Sequence, residues 1–267
     1  MISFPNAKIN LGLSVTSKRS DGFHNLASIF YPINWCDILE ILPANETSFS
    51  SSGIKIPGVP ENNLCLKAYE LLREEFSISP VAIHLKKNIP IGAGLGGGSA
   101  DAAFTLKMLN NIFDLNLSPD QLEDRAKLLG SDCSFFIKNK PVIATEKGNV
   151  FQNTKLKLTG YYILLVNPGI HISSKDAYNN ISPKQTTTDY SNIDTIVHTK
   201  LINDFEESVF SNHKKLKEIK QELEKEAIYT SMTGSGSTIF AIFDKKSAAD
   251  NLKEHYKIYP THIEIIS

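Results

Sequence analysis

Residues 7–15 alternate apolar and polar, with Ala7, Ile9, Leu11, Leu13 and Val15 on one side and Lys8, Asn10, Gly12 and Ser14 on the other. Successive side chains of a strand point to opposite faces, so this spacing predicts a half-buried β-strand. Shorter strand signals occur at Ile38–Leu42 and Val81–Leu85, and Tyr161–Gly169 reads as a buried strand stopped by Pro168-Gly169. The period becomes helical after a run of glycines, where Ala102, Leu106, Leu109 and Phe113 share one stripe. The segment "SPDQLEDRAKLLG" marks a second helix at both ends. Ser118 is placed to cap it, Pro119 fits the first turn, Gln121 completes a capping box and Gly130 ends it. Gln185 to Asp194 is polar and predicts a loop. His213 to Ala227 predicts a helix with Leu216, Ile219, Leu223 and Ala227 inward. "STIFAIFD" predicts a strand, Ala248–Tyr256 a short helix and Ile263–Ile266 a last strand. This mixed order predicts an α+β fold in two lobes dividing near Lys155, at 1–155 and 156–267.

Composition narrows the class. The chain has 267 residues, of which 41% are hydrophobic, enough for a core that needs no disulfide support. Cys36, Cys65 and Cys133 are odd in number and show no CxxC spacing, which argues against a disulfide framework or a zinc site and fits a reducing cytoplasm. No apolar run approaches the roughly 18 residues of a membrane span. "MISFPNAKINLGLSV" lacks the basic start and long apolar stretch of a signal peptide. A net charge of −1 with dispersed Lys and Arg points to neither nucleic acid nor a membrane surface.

The most informative segment is "NIPIGAGLGGGSADAA", Asn88–Ala103, with five glycines between Gly92 and Gly98 directly before a helix. Glycine loses much conformational entropy on folding, so such a run implies close approach to the backbone. A Walker A loop would end in Gly-Lys-Ser/Thr, and this one ends Gly98-Ser99-Ala100. Gly92-x-Gly94-x-x-Gly97 matches the dinucleotide fingerprint formally. The acidic residue that should close the next strand about 20 residues on is missing, because "DLNLSPDQ" exits one helix and caps another. What remains is shared by all such loops: amides converging without Cβ atoms at the positive end of a helix dipole, which makes an anion cradle suited to phosphates. A glycine-rich hairpin or lid without ligand is the plainer alternative.

"PIGAGLGGGSADAA" resembles the phosphate-binding loop of the GHMP kinases, the galactokinase, homoserine kinase, mevalonate kinase and phosphomevalonate kinase superfamily. "PNAKINLGLSV", "RSDGFHNL", "GSDCSFF" and "MTGSGSTIFAIF" follow that superfamily's motif order from Pro5 onward. The resemblance implies a two-lobed GHMP kinase fold, with a ribosomal-protein-S5-domain-2-like N-terminal lobe and a ferredoxin-like C-terminal lobe. It also implies a monomer or weak homodimer that uses ATP with Mg2+. No carboxylate is spaced to hold the magnesium, so its ligands stay unassigned. The cradle implied for ATP is Pro90, Ile91, Gly92, Ala93, Gly94, Leu95, Gly96, Gly97, Gly98, Ser99 and Ala100, with Ser99 near the β-phosphate.

Phosphoryl transfer also needs a group to deprotonate the acceptor hydroxyl and positive charge against the transferred group. Asp132, read alone, is better explained as a helix-capping aspartate; the resemblance makes it the catalytic base. Lys8, read alone, is as well explained by a solvated strand face. The resemblance pairs it with Asp132, and Asn10 lies on the same side of the strand. In "DGFHNL" the resemblance implies that Phe23 stacks on a cytosine of the acceptor and that His24 bonds its edge, where the resembled kinases have tyrosine-histidine. Tyr178 would complete the aromatic sandwich, with Ser174 nearby. Core packing is the alternative for both aromatics. Gly234 and Gly236 resemble the family's C-terminal motif beneath the phosphate loop. "ATEKGNVFQ" lacks the expected Gly-x-Gly-Glu form and should affect only a hairpin. Cys133 has no base spaced for it and reads as a buried small hydrophobe. Two other readings stay open: a homoserine or mevalonate type of kinase, and a non-catalytic ligand sensor on the same fold.

Overall fold

The computed structural model describes residues 1–179, 181–183, 188–197 and 201–266. They form two compact units. The first comprises 1–7, 34–91 and 96–140; the second comprises 8–33, 92–95 and 141–267. Both are discontinuous in sequence, unlike a single cut near Lys155, because β2 (Asn6–Lys18) and β3 (His24–Cys36) each begin in one unit and end in the other.

The first unit is built on β1 (Ile2–Ser3), β4 (Ile38–Pro43), β5 (Ser48–Gly53) and β6 (Val81–Lys87), in the order β1-β4-β6-β5. β4 pairs antiparallel with β1 and β6, whereas β5 and β6 are parallel. A parallel pair needs a crossover, which α1 (Leu64–Phe76) supplies. Asn63 caps α1 by accepting from the Cys65 amide at 2.8 Å. Cys65, Ala68, Tyr69 and Leu72 form its buried stripe. α2 (Gly97–Ile112) follows the glycine run, then α3 (Pro119–Leu129) and α4 (Phe135–Lys138). The Ser118–Gln121 capping box is formed as expected.

In the second unit, β2 and β3 are continued by the hairpin β7 (Val142–Glu146) and β8 (Val150–Asn153), in the order β2-β3-β7-β8. A second sheet, β10-β11-β9-β12, is antiparallel throughout. Its strands are β9 (Tyr162–Val166), β10 (Tyr229–Met232), β11 (Ile239–Phe243) and β12 (Thr261–Ile265). α5 (Ser174–Asn179), α6 (Phe205–Asn212), α7 (Lys214–Leu223) and α8 (Lys246–His255) complete the unit. Its core gathers Leu13, Val15, Leu164, Val166, Phe205, Leu216, Ile219, Leu223, Ile239, Phe243 and Leu252.

Three sequence expectations change. β2 is buried on both faces from Asn6 to Val15 rather than on one. Its polar residues are taken inside because they find partners: Asn10 donates to Ser28 Oγ at 3.1 Å, and Ser14 Oγ lies 3.0 Å from the Tyr190 hydroxyl. The helix expected over His213–Ala227 ends at Leu223, and Ala227 packs on the core from outside it. Of the loop expected over Gln185–Asp194, Gln185–Thr187 lie outside the described residues, while Tyr190–Asn192 form a 3₁₀ turn with Tyr190 buried. Among the described residues no helix is long and apolar enough to cross a membrane.

Candidate active site

The glycine run is tied down at its first half within the second unit. The Lys8 amide donates to Leu95 O at 3.0 Å, Thr233 Oγ1 donates to Gly94 O at 3.1 Å, and the Thr238 amide reaches Ala93 O at 3.3 Å. A Cβ on Gly94, whose φ is +78°, would overlap the Thr233 carbonyl oxygen and come within 2.9 Å of its carbon. Only glycine fits there. Asn203 holds the opposing turn by donating to Met232 O at 2.7 Å and Gly234 O at 2.8 Å. The Gly234–Gly236 turn therefore supports the loop by backbone-to-backbone packing.

The second half of the run opens α2 in the first unit. Gly96 stands at the N-cap in the left-handed region with no side-chain cap. The first-turn amides of a helix have no intrahelical acceptor, and the N-cap glycine has no side chain to supply one. Together with the helix dipole, that leaves a donor set facing outward for an anion. Gly98 is exposed and Ser99 half-buried at this turn.

Lys8 is buried, 3% exposed, on β2. Its Nζ donates to Asn10 Oδ1 at 2.6 Å and lies 4.8 Å from the centre of the Phe30 ring. The Asn10 amide donates to Thr233 Oγ1 at 3.1 Å, so Lys8, Asn10 and the loop share one network inside the second unit. Thr233, which joins Asn10 to Gly94, was not singled out from sequence. Its only signal there was its place in "MTGSGST".

Asp132 is half-buried on the turn before α4. The N-cap of α4 is Ser134, so Asp132 does not occupy the capping position. The neighbouring Cys133 is buried; burial pushes its thiol up to about 11, with the Ser99 hydroxyl opposing. That suits a packed thiol rather than a nucleophile.

At the expected cytosine end, Phe23 is 55% exposed with Lys147 Nζ 5.1 Å from its ring centre. His24 stacks on Tyr178, with centroids 5.1 Å apart and planes at 20°, and Phe205 meets Tyr178 edge-on at 4.8 Å. Burial lowers the His24 pKa, and Lys18 adds to this, so the imidazole is neutral at pH 7. Ser174 Oγ lies 3.0 Å from Ser235 Oγ. The segment around Gly148 is the turn of the β7–β8 hairpin. Among the described residues, no group of three or more His, Cys, Asp or Glu could hold a metal ion.

Comparison with known proteins defines the class first. The chain matches the GHMP kinases N terminal domain over residues 63–140 and the GHMP kinases C terminal domain over 188–260. A 4-diphosphocytidyl-2-C-methyl-D-erythritol kinase of Cytophaga hutchinsonii is 53% identical over 92% of this chain and 93% of that one. One from Azobacteroides pseudotrichonymphae is 50% identical over 92% and 94%. A crystal structure of 4-(cytidine 5'-diphospho)-2C-methyl-D-erythritol kinase superposes with TM-score 0.83 at 26% identity, covering 98% of each chain. The chain belongs to the 4-diphosphocytidyl-2-C-methyl-D-erythritol kinase family of GHMP kinases.

Proposed function

We propose that the chain transfers the γ-phosphoryl group of ATP to the 2-hydroxyl of 4-diphosphocytidyl-2-C-methyl-D-erythritol, giving the 2-phosphate and ADP in non-mevalonate isoprenoid biosynthesis. The observation that carries phosphoryl transfer is the uncapped start of α2 behind a left-handed glycine. The substrate follows from the names of relatives about half identical over nine-tenths of the chain.

In this reading the amides from Pro90 to Ala100 hold the triphosphate. Asp132 takes the proton from the 2-hydroxyl as its oxygen bonds to the γ-phosphorus and the bond to the β–γ bridging oxygen breaks. Lys8 supplies the cation that favours the developing alkoxide and offsets charge on the transferred group. Asn10 holds the Lys8 ammonium in place. The Mg2+ travels with the nucleotide, since this ion is commonly held by phosphates and few protein groups. Phe23 offers an exposed ring face to the cytosine. Neutral His24 leaves its stack on Tyr178 to bond the base edge, and Tyr178 then closes the sandwich beside Ser174. We assign the working form to a cytoplasmic monomer or weak homodimer.

The test is ADP release coupled to the cytidylyl alcohol. Turnover with that alcohol, and none with mevalonate or homoserine, is expected. No turnover with any alcohol, despite nucleotide binding, would mean a ligand sensor.

A further inference from the structure

Three buried charges in the first unit take no part in the roles above. Lys87 ends β6 at 3% exposure, Asp37 lies between β3 and β4 at 0%, and Asp101 sits on α2 at 2%. Lys87 Nζ pairs with Asp37 Oδ2 and, at 2.7 Å, with Asp101 Oδ2. Desolvating ions is seldom fully repaid by their attraction, so such a cluster is a poor device for core stability alone. Asp101 Oδ1 is moreover buried with no hydrogen-bond partner among the described residues.

The cluster bonds to backbone at the entry of the glycine run and packs against its exit. Asp37 Oδ1 accepts from the Asn88 amide at 2.6 Å and the Ile89 amide at 2.9 Å, and Asn88 Nδ2 donates to Cys36 O at 3.1 Å. These bonds fix the chain as it enters the run. At the exit, a Cβ on Gly97 would come within 2.9 Å of Lys87 Nζ and 3.0 Å of Ile89 Cγ2, so α2 begins packed against the ammonium itself. One turn on, Asp101 binds the same ammonium from α2.

We infer that Lys87, Asp37 and Asp101 are positioning residues that clamp the entry and exit of the glycine run, presetting the first-turn amides of α2 for a nucleotide's phosphates. The inference rests on the reading that this run holds the triphosphate.

The test is steady-state kinetics plus titration with a non-hydrolysable ATP analogue. Lys87→Met keeps the buried stem and removes the ammonium. Its KM for ATP and Kd for the analogue should rise about ten-fold or more, while KM for the cytidylyl alcohol stays within about two-fold. Nucleotide affinity equal to wild type in the folded variant overturns the clamp. So does an equal loss for both substrates, or a loss confined to kcat. Should Lys87→Met fail to fold, Asp101→Asn, which is isosteric, decides the matter. It should raise KM for ATP about three-fold or more with the alcohol KM unmoved, and an unchanged KM for ATP overturns the proposal. Ser99→Asp, which adds a carboxylate in the first turn and does not touch the cluster, separates the two levels. Intact nucleotide affinity there means the run does not hold ATP, and the functional reading fails. Lost affinity in Ser99→Asp beside normal affinity in Lys87→Met removes the clamp alone.

Discussion

Two lysines are buried to the same 3%, one in each unit, and each is tied to different groups. Lys87 is met by two carboxylates, and those carboxylates in turn bind main-chain amides and a helix. Burial works against its charge, but Asp101 and Asp37 outweigh it and raise the pKa, so the ammonium is permanent. Lys8 donates to the amide oxygen of Asn10 and lies over the face of Phe30, and through Asn10 it joins Thr233 and the glycine run. The contrast teaches that burial of a charge does not by itself mark a catalytic residue. What the neighbours do with the charge is more telling.

If the contrast holds, Lys8→Met and Asp132→Asn should each cut kcat about 10²- to 10⁴-fold while ATP affinity and melting temperature stay near wild type. Full turnover in Lys8→Met would make Lys8 a structural lysine like Lys87. A fall in binding without a fall in kcat would do the same for Asp132.

Gly94→Ala comes next, because its Cβ would enter the Thr233 carbonyl and its φ is +78°. We expect a loss of about 2–3 kcal/mol in urea denaturation together with weakened ATP binding. Unchanged stability would mean that the turn does not support the loop.

Thr233→Val keeps the shape but removes the hydroxyl that binds the Asn10 amide and Gly94 O. A cost of about 1–2 kcal/mol is expected in the same assay. An effect on KM for ATP would show that the Lys8 network and the loop are coupled.

The last effect concerns pH. Burial pushes the Asp101 carboxyl up to about 7, with Lys87 opposing and Asp37 adding. The unfolded value is about 4, so the native state holds an extra proton between those limits. This contribution to stability is complete below about pH 4 and is lost as pH rises through about 7. Relative to Asp101→Asn, the wild type should therefore lose about 2–3 kcal/mol between pH 5 and pH 8. Parallel stability curves would show that Asp101 does not titrate in this range.

Legibility from sequence followed the range of the forces involved. The α3 helix was readable to its caps, since Ser118, Pro119 and Gln121 act within one turn. The α1 helix has its Asn63 cap and a regular buried stripe, which are local in the same way. β3 was obscured by Pro32, which falls beyond the ladder to β7 that ends at Phe30. The glycine run could be read as a candidate anion cradle, because excluding Cβ atoms is a local property. Thr233 could not be found that way, and neither could the partners of Lys87.

From its own residues the chain declared its period-two and helical segments, its caps and a candidate anion-binding loop. Motif order then pointed to the kinase class and to Lys8 and Asp132. That Lys87 is met by two carboxylates, why Gly94 admits no side chain, and that both faces of β2 are covered came from the folded chain. Asp37 lies 50 residues from Lys87, and Thr233 lies 223 from Asn10. Contacts at such separations leave no periodic trace in sequence, since they exist only once sheets and helices have packed.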